Sequence, residues 1–162
     1  MNLSNEPARL LFRHTLATVA YRAGKALRGA PESFGLFKAC ESARTPAQLV
    51  AHLADLYDWA LSKARGAERW DAAPALAWET EVARFFASLK AFDDYLASGE
   101  PVHCEIEGLL QGPVADSLTH IGQIALLRRL AGCPIRGENY AKADISVGCV
   151  GLDQPPPRRE FD

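Results

Sequence analysis

The chain has 162 residues, 48% hydrophobic and 23% charged, and its 18 Lys and Arg against 20 Asp and Glu leave a net charge of −2. That length predicts one domain with a core large enough to stand without staples. The charge balance excludes a broad basic field, and with it a nucleic-acid binder that works by neutralising phosphates. No apolar run approaches the roughly 18 residues of a membrane span. Arg9, Arg13, His14, Arg22 and Lys25 interrupt the first thirty residues, which do not read as a signal peptide. A cytoplasmic protein with no nucleic-acid or membrane partner is the expectation. Cys40, Cys104, Cys133 and Cys149 are scattered without a CxxC pair, so reduced thiols are expected.

The composition favours helix, with 27 Ala and 20 Leu against 7 Val, 5 Ile and 5 Thr. A first helix is expected from Asn5-Glu6-Pro7 to about Arg28, capped by Asn5 and stopped by Gly29 and Pro31. Phe12, Leu16, Val19, Ala23 and Ala26 form its apolar stripe, and Arg9, Arg13, Arg22 and Lys25 read as its solvated face. A short helical turn between Ser33 and Cys40 follows. Thr45-Pro46-Ala47-Gln48 is a capping box with proline at the first helical position, so a second helix starts there and ends at Gly66. Its inward residues are Leu49, Leu53, Leu56 and Ala60.

The third helix, about Ala75 to Ser98, carries Trp78, Val82, Phe85, Leu89, Phe92 and Leu96 at alternating gaps of four and three, the seam of an antiparallel bundle. Glu79 and Glu81 flank that seam as surface carboxylates. The fourth helix starts after Gly112-Pro113 and ends near Ala131. Val114, Leu118, Ile121 and Ala125 lie on one side of it, while Ile124, Leu127 and Leu130 point elsewhere. The fold class expected is therefore all-α, an up-down four-helix bundle over residues 1–131. Residues 132–162, with no sustained period but with Ile135, Tyr140, Ile145 and Val150, form an irregular, ordered C-terminal extension packed on the same domain.

The informative residues are polar ones on inward faces. His52 lies about 60° from Leu49 around the second helix, and Trp59, two turns later, covers the same flank. On the fourth helix Asp116, His120 and Gln123 follow i, i+4, i+7 on one stripe with Leu127. An ionised Asp buried without a partner costs several kcal/mol, so a partner is required. Asp-x-x-x-His turns both side chains to one face, where they can grip one cation, and His52 can supply a third ligand across the interior. Two His and one carboxylate leave open positions on a divalent metal, as catalytic zinc and facial-triad iron sites do. The plainer alternative pairs Asp116 with His120 or Arg129 and needs no metal. His14 and Tyr21 on the first helix are the weaker candidates for substrate contact. His103 with Cys104 reads as a loop pair without a metal. No GxGxxG, P-loop, GxSxG or HExxH pattern is present.

Two segments, Thr45-Pro46-Ala47-Gln48-Leu49-Val50-Ala51-His52-Leu53-Ala54-Asp55 and Asp116-Ser117-Leu118-Thr119-His120-Ile121-Gly122-Gln123, resemble the DinB/YfiT-like superfamily of metal-binding four-helix bundles. In that family one His falls early on the second helix and the last long helix carries H-x-x-x-H-R-G-Q. His52 matches the first ligand, His120 the last, and Gly122-Gln123 the trailing dipeptide, over a resemblance that covers about residues 8 to 131. Asp116 stands where most members have His, and Ile121 where many have Arg. A carboxylate at the former position is similar to the thiol-dependent maleylpyruvate isomerase branch, where Glu serves. The stretch from Arg136 to Ile145 looks like that of members without assigned chemistry.

The resemblance implies a metal-dependent S-transferase, hydrolase, amidase or isomerase acting on a small molecule with a low-molecular-weight thiol. It implies zinc or nickel, with iron or manganese as further options, held by His52, Asp116 and His120, and a homodimer. Gln123 would orient a ligating group from outside the coordination sphere. A non-catalytic metal- or ligand-binding scaffold is the rival reading.

Overall fold

The computed structural model describes residues 6–72 and 74–161, so the expected cap Asn5 lies outside the described residues. The chain forms α1 (Glu6–Leu27), α2 (Pro46–Ala64), α3 (Trp78–Ala97), the single turn α4 (Ile106–Leu109) and α5 (Ala115–Leu130). A 3-10 turn at Glu32–Leu36 stands where a short helical turn was expected. Two-residue strands β1 (Gly137–Glu138) and β2 (Glu160–Phe161) pair antiparallel. The fold is all-α with little strand, and no helix among the described residues is long and apolar enough to cross a membrane.

The start of α2 is fixed by its own sequence. The Gln48 amide N–H donates to Thr45 Oγ1 (3.2 Å), the Thr45 N–H donates to Gln48 Oε1 (2.9 Å), and Pro46 takes the first helical position. Gly66, at φ 74°, ends the helix in a conformation that a Cβ disfavours. The core is filled by Leu16, Leu53, Tyr57, Phe85, Leu89, Phe92 and Ile124, all fully buried.

Long-range contacts give the helix directions. Arg9 Nη1 donates to Leu96 O, and Arg13 pairs with Asp93, so α1 and α3 are antiparallel. The Asp55–Arg84 pair and the Arg65–Tyr95 stacking make α2 and α3 parallel. Arg128, near the end of α5, donates to Ala26 O and Arg28 O at the end of α1, while Leu11 and Leu110 line one pocket near the two starts; α1 and α5 are parallel. The directions run up, down, down, up. The simple alternation expected of an up-down bundle is thereby corrected, and the long connection between Ala64 and Trp78 supplies the reason. At roughly 3.3 Å per residue it can retrace the ~28 Å length of α2 before α3 begins.

Several surface assignments also change. Arg9 and Lys25 are buried, because α1 is covered by α3, by α5 and by the C-terminal segment. Arg9 is held by the carbonyls of Leu96 and Glu100, and Lys25 by Glu138 (2.9 Å) and Glu160 (2.6 Å). Glu81 is buried, ion-paired to Arg84 at 2.8 Å, and its Oε1 accepts the Leu76 N–H. As expected, α5 starts just after Gly112-Pro113, at Ala115. A wide π-type turn, Leu110–Val114, absorbs the proline and carries α4 into α5, and Ser117 Oγ donates to Pro113 O at 2.6 Å. On α5 the buried positions are Ser117, Ile121, Ile124, Leu127 and Arg128, with Leu118 and Leu130 exposed, so its inward face is rotated from the expected stripe.

Residues 133–161 pack back on the body. Val150 is buried, and Ile135 and Ile145 lie against the core. Tyr21 donates to Glu138 Oε1 at 2.7 Å. Burial and that hydrogen bond push the Tyr21 phenol up, and burial does the same to Tyr57. Lys25 is also raised, because its bonds to Glu160 and Glu138 outweigh the opposing effect of burial. A group raised in the folded state contributes stability that is complete below its unfolded pKa, about 10 for both residue types, and is lost as pH climbs toward the folded value. The protein is therefore expected to unfold at high alkaline pH, with Tyr21 and Tyr57 ionising only as helix is lost. Tyrosinate absorbance followed beside circular dichroism checks this; complete tyrosine ionisation near pH 10 with the helices intact contradicts it.

Candidate metal centre

Two antiparallel helices bring three donors together. His52 lies two turns into α2, and Asp116 and His120 lie one turn apart at the start of α5. His52 Nε2 is 3.1 Å from Asp116 Oδ2, and His120 Nε2 is 3.4 Å from Asp116 Oδ1. One ligand atom from each residue lies within 4.8 Å of the others. The edges of a tetrahedron around a cation with bonds of about 2.0–2.1 Å measure roughly 3.4 Å. Two imidazole nitrogens and a carboxylate this close together could hold one metal ion.

The hydrogen bonding sharpens this fit. Gln123 Oε1 can only accept, so at 2.8 Å it takes the proton of His120 Nδ1. A neutral His120 then presents a bare Nε2 lone pair to Asp116 Oδ1, and two acceptors face each other. A cation between them satisfies both, and so does a second proton on His120, which is the metal-free ion pair. Gln123 thus holds the tautomer that a metal-ligating imidazole needs.

The surroundings differ on the two flanks. Trp70, carried by the connection between α2 and α3, sets its ring edge against His52 at 5.8 Å and also meets Trp59 at 6.2 Å. That connection is pinned by Glu68, which accepts from Trp59 Nε1 (3.0 Å) and pairs with Lys63 (2.8 Å). Nothing periodic in the sequence pointed to Trp70; only its place in a long connection could have. On the other flank a cavity of about 590 Å³ opens between α2 and α5, with His52, His120 and Gln123 in its wall.

The remaining sequence candidates lie elsewhere. Tyr21 is buried against Glu138 and Tyr140, and His14 is an exposed residue on α1; neither lines that cavity. His103 packs on Gly66 and donates its N–H to Ala64 O, while burial pushes the Cys104 thiol up. Asp116 makes its close charged contacts with the two histidines. Glu79 is exposed. All four cysteines are free.

Comparison with protein-family models, with curated proteins and with solved structures gives no match for this chain.

Proposed function

We propose that this chain is a metal-dependent enzyme, a thiol-dependent S-transferase or hydrolase, that acts on a small molecule in the cavity beside His52, Asp116 and His120. The observation that carries the reading is the opposed pair of acceptors, His120 Nε2 and Asp116 Oδ1, at 3.4 Å with His52 alongside. The resemblance of the α2 and α5 segments to the DinB/YfiT-like superfamily supports it, and a homodimer rests on that resemblance alone. A divalent ion, zinc or nickel first, would supply Lewis acidity that brings a coordinated water or thiol into its reactive form near neutral pH. The protein's own part is to hold the donors, to fix the His120 tautomer through Gln123, and to wall one side with Trp70. Among the described residues lining the cavity no Asp, Glu, Lys, Tyr or Cys joins the triad as a separate acid or base. That same lining favours the second reading, a non-catalytic metal- or ligand-binding scaffold.

The test uses protein purified without a polyhistidine tag and loaded with zinc or nickel. A chromogenic ester, and an electrophilic aryl halide offered with a low-molecular-weight thiol, are the model substrates. Turnover of either that disappears on chelation and returns with the ion is the expected result. Stoichiometric metal without turnover of either leaves the scaffold, and no metal after incubation with both ions removes the whole reading.

A further inference from the structure

The cavity beside the triad is graded along its length. At one end stand His52, His120 and Gln123, and in the middle Leu49, Leu126 and Leu127, with Leu130 beyond. At the far end is Arg44. Because α2 and α5 are antiparallel, stepping back from His52 toward Arg44 and forward from His120 toward Leu130 leads in the same direction. At 1.5 Å per residue the two walls extend about 12–15 Å from the histidines.

Arg44 is the one charged side chain outside the triad among the described residues lining this space. Arg9, Arg13, Arg84 and Arg128 are each bound to carbonyls or carboxylates. The Arg44 guanidinium, by contrast, has no hydrogen bond or ion pair with another described residue. Its backbone position is nonetheless fixed, since it precedes Thr45 and the capping box that starts α2. Arg44 is exposed at the rim of this leucine-lined space, and with no carboxylate in the wall its guanidinium is open to pairing with an anion on the occupant.

Resting on the metal-centre reading, we infer that the substrate is a small amphiphilic anion. Its apolar body lies over Leu49, Leu126, Leu127 and Leu130, its carboxylate or similar oxyanion meets Arg44, and its reacting group faces the triad. A sugar or nucleotide would set polar atoms against the leucines without partners. A neutral hydrocarbon would leave Arg44 unused.

The test compares two hydroxamates on zinc-loaded protein by calorimetry. Suberic acid monohydroxamate carries a carboxylate at its far end, and octanohydroxamic acid ends in a methyl group. The carboxylate is expected to tighten binding about fivefold, the modest gain of a solvent-exposed ion pair. The gain should vanish in Arg44→Gln and shrink at high salt, with the methyl-ended probe unaffected by the substitution. Equal binding of the two probes to the unsubstituted protein, or a gain that survives Arg44→Gln, overturns the inference while leaving the metal reading intact. If zinc does not bind, the metal reading fails by itself, and octanoate against octanamide on metal-free protein decides the Arg44 end. An Arg44-dependent preference for octanoate then supports the anionic occupant, and its absence overturns it.

Discussion

His52→Ala is expected to abolish stoichiometric zinc binding, seen as loss of about one ion per chain by elemental analysis of untagged protein. His52 is the only donor of the triad that α2 contributes. Without it, Asp116 and His120 remain as a two-ligand pair on one helix, and among the described residues no further His, Cys, Asp or Glu belongs to the group. Gln123→Ala is the graded companion. It keeps all three donors but removes the acceptor that directs the His120 proton to Nδ1, and should weaken zinc by about 10- to 100-fold. Retention of full occupancy in His52→Ala would place the metal elsewhere. Equal affinity in Gln123→Ala would show that the tautomer is not set by this bond. Asp116→Asn separates the metal from the metal-free ion pair: the pair predicts the same loss of stability with or without zinc, the metal centre a loss that appears only with zinc present.

Arg84→Met should lower stability by about 3 kcal/mol and the melting temperature by roughly 6–12 °C for a chain of this size. Arg84 lies between two buried carboxylates, with Nη1 2.7 Å from Asp55 Oδ1 and Nε 2.8 Å from Glu81 Oε2, and its Nη2 donates to Ala51 O. Asp55 is 6% exposed and Glu81 1%, whereas Arg84 is 27% exposed. Removal of the guanidinium leaves the carboxylates facing each other in a poorly hydrated place, which costs more than the pair itself contributes. The partial exposure of Arg84 puts the expected loss at the low end of the range for a broken buried pair. Glu81→Gln on the Arg84→Met background should recover part of it, since the amide oxygen can still accept from Leu76 N without a charge. A loss below about 0.5 kcal/mol in denaturant unfolding would mean that water replaces the guanidinium freely.

What could be read from the residues follows what is local in the chain. The capping box at Thr45, the glycine stop at Gly66 and the common face of Asp116, His120 and Gln123 depend on contacts within one or two helical turns, so spacing alone gave them. The inward side of His52 was legible for the same reason. Helix direction was not. Whether α2 and α3 run parallel depends on whether residues 65–77 turn back or cross over, and an irregular connection carries no periodic signal. The burial of Arg9, Lys25 and Glu81 was hidden because a charged residue reads as solvated until a partner from a distant segment is known: Leu96 for Arg9, Glu138 and Glu160 for Lys25. Gly112-Pro113 marked the start of α5 correctly but hid the helical turns that lead into it. Both residues are breakers in an α-helix, yet a π turn tolerates them. Arg44 passed unnoticed because its interest comes from the cavity it borders rather than from its neighbours in sequence.

The origin of the three donors has a kinetic consequence. His52 sits before the crossover and α3, and Asp116 and His120 after them, so α1, α2 and α3 can associate without creating any part of a chelate that includes both histidines. The cation site comes into being only when α5 docks against α2. An ion bound there stabilises a late arrangement, absent from a transition state built on the first three helices. In that case its effect belongs to the unfolding rate and leaves the folding rate unchanged, making the ion a latch on the closed molecule rather than a seed for folding.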